Sequence, residues 1–240
     1  MVNAVLRADG GPDSGAPMGR PMDWQRRTWR ERVGGHDIVL EGIADFDEAC
    51  AELARRAWDP EVVRNYQSLC PMFGVIWPSA RGLAQRLAAC PLEGVTVLEL
   101  GCGLALPSLV AARGGAVVTA TDQHPDTAAY LSRNAAHNGV AVRYASFDWL
   151  GELPAGVAER GFARVVASDV LYTHEMPAAV AAAFARFLAP DGVGWLTDPG
   201  RPWLAEFTAA CEALGLAVVD DVVAGADGRD EVFLFEVRWR

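Results

Sequence analysis

A chain of 240 residues with about half of them hydrophobic is long enough to bury a sizeable core, as one large domain or one domain with an appendage. A net charge of −10 and a pI near 4.9 argue against tracking along a nucleic-acid backbone, and every one of the 21 positive charges is Arg, so no lysine Schiff base can form. The cysteines Cys50, Cys70, Cys90, Cys102 and Cys211 form no CxxC pair and the four histidines no HxxxH or HExxH pattern, which favours reduced thiols and gives a metal site no support.

Residues 1–22 are rich in Gly, Pro, Asp and Ala and read as a disordered leader. They lack the charged start and apolar centre of a signal peptide, and no apolar run reaches the roughly 18 residues of a membrane span. A cytoplasmic protein is expected. Trp24 to Arg30 fits a short helix or an extended arm, and His36–Glu41 a strand. Asp45 can cap a helix carrying Phe46, Cys50, Leu53 and Ala54. Pro60 is expected to close that region, and Pro71–Pro78 to be extended. Pro78 and Ser79 open a helix through Leu83 and Leu87.

From Thr96 strands and helices alternate. Strands are expected at 96–100, 116–121, 140–145, 163–167, 193–197, 216–219 and 231–239. Helices are expected near 105–112, 125–138, 177–188 and 203–214. Gly139 is a helix C-terminal signal, Pro190-Asp191-Gly192 a turn, and Gly225 to Gly228 a turn closing an antiparallel hairpin. The class is α/β, a mostly parallel sheet with an antiparallel last strand and an N-terminal α+β extension. Residues 23–90 form that extension and lid, and 91–240 the main domain.

Ligands of open α/β sheets bind at the carboxyl ends of the strands. Glu99, Asp122, Asp148 and Asp169 stand at or just past four such ends. Between them, Gly101-Cys102-Gly103 forms a tight turn where a ligand can approach the backbone. Asp122 is placed to accept from ribose hydroxyls. Asp148 can take an adenine amino group, and Trp149 can stack on its face. A dinucleotide fingerprint would need a third glycine at Leu106. Glu99 would also repel a pyrophosphate, so a cationic sulfonium with an amino-acid tail fits better.

Glu99-Leu100-Gly101-Cys102-Gly103 resembles the first motif of class I S-adenosylmethionine-dependent methyltransferases, and the element order resembles their Rossmann-like seven-stranded sheet. Ile76-Trp77-Pro78-Ser79-Ala80, Phe147-Asp148-Trp149 and Ser168-Asp169-Val170-Leu171-Tyr172 resemble motifs of the small protein-lysine methyltransferases. Asp198-Pro199-Gly200-Arg201 resembles a loop of the type acting on the electron-transfer-flavoprotein β-subunit. The resemblance covers roughly residues 70–240. It implies S-adenosylmethionine as cofactor, held by Trp77, Glu99, Gly101, Cys102, Gly103, Asp122, Asp148, Trp149 and Ser168. Asp169 and Tyr172 would face the transferred methyl as catalytic residues, and Tyr172 and Arg201 would meet substrate. The expected activity is N-methylation of a protein side chain, lysine first. The alternatives are a small-molecule N-methyltransferase and a non-catalytic cofactor-binding module. The expected partner is a protein substrate or a small amine, with neither nucleic acid nor membrane.

Overall fold

The computed structural model describes residues 23–224 and 231–240. The leader expected over 1–22 and the turn expected over 225–228 lie outside these residues. The chain opens with an antiparallel hairpin, β1 (Arg26–Val33) and β2 (His36–Ile43). Trp24 to Arg30 is thus an arm that runs into a strand, not a helix. Three helices follow, α1 (Phe46–Arg55), α2 (Pro60–Arg64) and α3 (Tyr66–Leu69). Asp45 caps α1 by accepting the Glu48 N–H at 2.9 Å, as its position predicts.

Two expectations in this region fail. Pro60 starts α2 instead of closing the region, because proline suits a first helical turn. Pro71–Gly74 winds into a single 3₁₀ turn, and only residues 75–77 stay extended. Helix α4 (Pro78–Ala88) then begins with proline at its first turn.

The core carries β3 (Thr96–Leu100), α5 (Leu106–Arg113), β4 (Val117–Thr121), α6 (Thr127–Asn138), β5 (Arg143–Ala145) and β6 (Phe162–Ser168). It continues through α7 (Met176–Phe187), β7 (Leu188–Asp198), α8 (Leu204–Ala213), β8 (Leu216–Ala224) and β9 (Glu231–Trp239). These strands form a seven-stranded sheet in the order β5-β4-β3-β6-β7-β9-β8. The first five are parallel, and β9 is antiparallel to both β7 and β8. The turn expected at Pro190–Gly192 is absorbed into β7 as an irregularity: Phe162 pairs with Leu188 and Arg164 with Val193.

Alternation along the central strands divides the core between two faces. Leu98, Leu100, Val165, Ala167 and Leu196 pack with Phe184, Phe187 and Phe207 of α7 and α8. Val97, Val166 and Trp195 face the other way, with Leu83 and Leu87 of α4 and Leu109 of α5. Val33, Ile38 and Leu40 of the hairpin belong to this second cluster, so the hairpin is part of the core packing.

Two asparagines on α6 fix the hairpin. Asn138 accepts the Val39 N–H at 2.9 Å and donates to the Val39 carbonyl at 2.7 Å. Asn134 does the same for Glu41, at 2.7 and 3.1 Å. Residues four apart on a helix rise about 6 Å, and residues two apart on a strand about 6.8 Å. Two amide side chains at that spacing therefore satisfy the outer edge of β2 as a neighbouring strand would. Arg133 adds an ion pair to Glu41 at 2.5 Å. Asn134→Leu leaves the part-buried Glu41 backbone groups and the buried Leu104 carbonyl without this partner and is expected to cost about 2–4 kcal/mol. Urea unfolding measures that loss, and hydrogen exchange should show the Glu41 amide losing protection. An unchanged midpoint would show that the amide contacts contribute nothing.

Candidate active site

The order β4-β3-β6 places a topological switch at β3 and β6, where crossovers leave in opposite directions and a crevice opens. The Gly101–Gly103 turn follows β3 and Asp169 follows β6, so they stand on either side of this crevice. Gly101 and Gly103 both adopt left-handed backbone, with φ of +68° and +51°. A Cβ at Gly101 would lie 2.9 Å from Val170 Cγ1, and one at Gly103 would lie 3.0 Å from the Phe73 carbonyl oxygen. Both glycines are therefore required by shape. Ala105, also left-handed, leads into α5.

Asp122 is tied into this turn. Its Oδ2 accepts the Gly103 N–H at 2.8 Å and its Oδ1 the His124 N–H at 2.8 Å. Each carboxylate oxygen has a further lone pair, so two ribose hydroxyls can still be accepted. Trp149 donates from Nε1 to Thr121 Oγ1 at 3.1 Å, which brings its ring edge about 4.0 Å from a Cβ built on Gly101. Asp148 is exposed, and among the described residues only its Oδ1 is used internally, accepting the Leu150 N–H at 3.0 Å. Ser168 ends β6, buried and paired with Thr197.

Two of the expected cofactor residues contribute differently from the sequence reading. Cys102 packs its side chain against Ala105, Ala120 and Leu131, so only its backbone borders the crevice. Burial, with the charges of Asp122 and Glu99, pushes its thiol well above the ordinary range. Glu99 is 1 % exposed and accepts from the Ser108 N–H at 3.1 Å and from the Ser108 hydroxyl. Burial pushes its carboxyl up to about 8, so at neutral pH it is mostly protonated. The charge repulsion expected against a pyrophosphate is therefore weak. Leu106 still stands in place of a third glycine, fully buried where α5 packs.

Trp77 donates from Nε1 to the Met72 carbonyl at 3.0 Å and meets Phe46 edge-on at 5.9 Å. The residue whose backbone lies against Gly103 is Phe73, and its ring stacks on His124 at 4.0 Å. His124 in turn takes the Asp126 N–H on Nδ1 at 3.1 Å, and Asp126 accepts from Trp24 Nε1 at 2.8 Å. Sequence reasoning missed Phe73, His124, Asp126 and Trp24. Only Phe73 had a signal, as an aromatic in a Pro/Gly-bounded segment ahead of the first core strand.

Across the crevice Asp169 has a left-handed backbone, φ +62°, uncommon for a non-glycine residue. Its N–H donates to the Thr197 carbonyl at 3.0 Å. Its carboxylate is paired with Arg201, whose second nitrogen reaches Asp198 at 2.9 Å. Asp198 is fully buried and also accepts the N–H groups of Gly200 and Arg201 at 2.9 and 2.7 Å. The Arg201 guanidinium thus lies between two carboxylates of its own chain. Tyr172, three residues past Asp169, is 64 % exposed.

These features fit S-adenosylmethionine. The glycine turn leaves room that a Cβ would fill, Asp122 and Asp148 retain acceptor capacity, and Glu99 Oε1 is buried without a partner. Among the described residues no group of three or more His, Cys, Asp or Glu could hold a metal ion, and no helix is long and apolar enough to cross a membrane.

A parallel sheet ending in an antiparallel strand, with a glycine turn and an acidic residue after its first two core strands, defines the class I methyltransferase architecture. A family described as "Methyltransferase domain" matches residues 97–192. The protein N-terminal and lysine N-methyltransferase EFM7 of Eremothecium gossypii is 32 % identical over 190 residues, covering 68 % of this chain and 69 % of that protein. A ubiquinone biosynthesis O-methyltransferase of Methylobacterium nodulans is 31 % identical over 162 residues, covering 54 % of this chain. The chain spans 63 % of that relative's length. A 16S rRNA methyltransferase of T. thermophilus, solved with AdoMet and guanosine, shares the fold. Its TM-score is 0.57 at 20 % identity, covering 92 % of this chain and 52 % of that one. The chain belongs to the class I S-adenosylmethionine-dependent methyltransferases.

Proposed function

We propose that this chain transfers a methyl group from S-adenosylmethionine to a nitrogen of a protein side chain, lysine first. The observation that carries the reading is Tyr172, an aromatic left exposed three residues past the left-handed Asp169. The kinship with a protein N-terminal and lysine N-methyltransferase over two thirds of both chains supports it. When bound, the sulfonium supplies the activated methyl group. The backbone at Gly101 and Gly103 would hold the methionine part, Asp122 the ribose hydroxyls, and Asp148 with Trp149 the adenine.

The residues across the crevice act on the acceptor. A lysine ammonium, with an ordinary pKa of about 10.4, must lose a proton before it can attack. Asp169 shares its charge with Arg201, which suits it to attract and orient the amine more than to serve as a strong base. Tyr172 can pack along the aliphatic stem of the incoming side chain. Arg201 is then a positioning residue that fixes Asp169. The contact with substrate expected of Arg201 is in this reading indirect, because its guanidinium is already held by Asp169 and Asp198.

The kinship with the ubiquinone-pathway O-methyltransferase favours a second reading, a small-molecule acceptor. Incubating the protein with radiolabelled cofactor and a cell lysate separates the two. Label in a protein band is expected. Label confined to small molecules supports the second reading, and no label at all overturns both in favour of a non-catalytic module. Asp169→Ala should lose about 100-fold or more in turnover by losing orientation, with cofactor affinity retained. Full activity in that variant would make Asp169 structural.

A further inference from the structure

The hairpin has one edge sealed and one open. Val39 and Glu41 turn their backbone groups toward Asn138 and Asn134, away from β1. In an antiparallel ladder, their cross-strand partners must also point away, because such pairs exchange no hydrogen bonds. Those partners are Arg30 and Thr28. Alternation adds Arg26 and Arg32. β1 pairs only with β2, so among the described residues the N–H and C=O groups of these four positions have no strand beyond them.

The side chains at this edge are Arg26, Thr28, Arg30 and Arg32, all exposed. Arg26 lies 3.5 Å from Glu41, while Arg30 and Arg32 make no ion pair among the described residues. Three arginines at alternate positions of one exposed strand run against the −10 balance of the chain. Charges on an edge strand can serve simply to deter pairing. The opposite face of β1 argues for more. There a cavity of about 330 Å³ is bordered by Arg27, Trp29, Ile43, Val75, Ile76 and Arg81. Arg81 is neutralised by Glu31 at 2.7 Å, whereas Arg27 stacks on Trp29 at 5.2 Å and makes no ion pair among the described residues. The Val75–Ile76 wall continues directly from the Pro71–Gly74 turn, whose Phe73 backbone lies against Gly103. A segment lying along β1 would therefore border a cavity whose Val75–Ile76 wall adjoins the turn that meets Gly103.

We propose that β1 is a docking edge for an extended, acidic segment of the protein substrate, which adds to the hairpin as a third strand. Main-chain bonds to Thr28 and Arg30 supply register, and Arg26, Arg30 and Arg32 select carboxylates on the outer face. A side chain on the other face enters the cavity beside Arg27 and Trp29. The proposal rests on the reading of a protein as methyl acceptor.

The test uses two synthetic peptides, one alternating Glu and Val and one alternating Lys and Val, with the full chain. The Glu-Val peptide is expected to slow hydrogen exchange at the amides of Thr28, Arg30 and Arg32, and the Lys-Val peptide to leave them unchanged. Arg30→Glu with Arg32→Glu should weaken binding of the acidic peptide at least tenfold. Thr28→Pro should do the same by removing one outward N–H, a change that an edge strand tolerates. S-adenosylmethionine affinity, read by calorimetry, should stay the same in both variants. Absence of protection, equal protection by both peptides, or unchanged binding in the charge-reversed variant overturns the docking edge. Failure of the methyltransferase reading shows separately, as loss of cofactor binding or of lysate labelling in the unaltered chain.

Discussion

Asp122→Ala is expected to weaken S-adenosylmethionine binding by more than tenfold, the largest effect on affinity from any single side chain of the site. Hydrogen bonds to a charged group contribute about 1.5–3 kcal/mol each, and about 1.4 kcal/mol is tenfold in affinity. The carboxylate has a second task here, since it holds the Gly103 and His124 N–H groups at 2.8 Å. Removing it withdraws the ribose acceptor and loosens the glycine turn together. Asp122→Asn keeps one acceptor oxygen and should retain the fold while losing most of the affinity. Calorimetry with the cofactor and with its demethylated product measures both variants. Affinity unchanged in Asp122→Ala would remove the ribose role.

The second large effect concerns stability and pH. The Glu99 carboxyl titrates near 8 in the folded chain, against an ordinary value of 4.5, because burial disfavours its charge. A raised carboxyl pKa means that the folded state holds a proton which the unfolded chain releases. Stability is then greatest below about 4.5, falls as pH rises toward 8, and levels off above. Glu99→Gln mimics the protonated acid and cannot ionise. It should leave stability nearly unchanged at pH 5 and raise it at pH 8 by an amount on the order of 3 kcal/mol, since each pKa unit corresponds to about 1.4 kcal/mol. Urea midpoints of both proteins across this pH range give the answer. Parallel curves would show that Glu99 ionises freely. The Ser108 contacts remain possible in the variant, because glutamine retains an acceptor oxygen.

Glu99 also shows how far a sequence can be read. Its place before the glycine turn was legible, since strand, turn and helix follow one another within ten residues and each has a local cause. Its protonation state was not, because that depends on the surrounding low-dielectric packing. Trp77 and Phe73 show the same division. Both lie in one short aromatic, Pro-bounded segment, and only the 3₁₀ turn decides which backbone meets Gly103. At Arg201 the sequence offered a loop residue expected to meet substrate. The fold turns it inward between Asp169 and Asp198, from strands separated in sequence by about thirty residues.

By itself the sequence determined the order of strands and helices from Thr96 onward, the glycine turn, and the acidic residues at the strand ends. These rest on periodicity, on φ preferences and on helix-end signals, all set by near neighbours. The tertiary structure alone decided that the N-terminal hairpin is part of the core. That attachment runs through Asn134 and Asn138, which meet β2 across 93 and 99 residues of chain. Nothing local marks an exposed-looking asparagine pair as the partner of a strand edge. Only the folded chain brings the edge within hydrogen-bond reach, and the same event leaves the other edge, with its arginines, facing solvent.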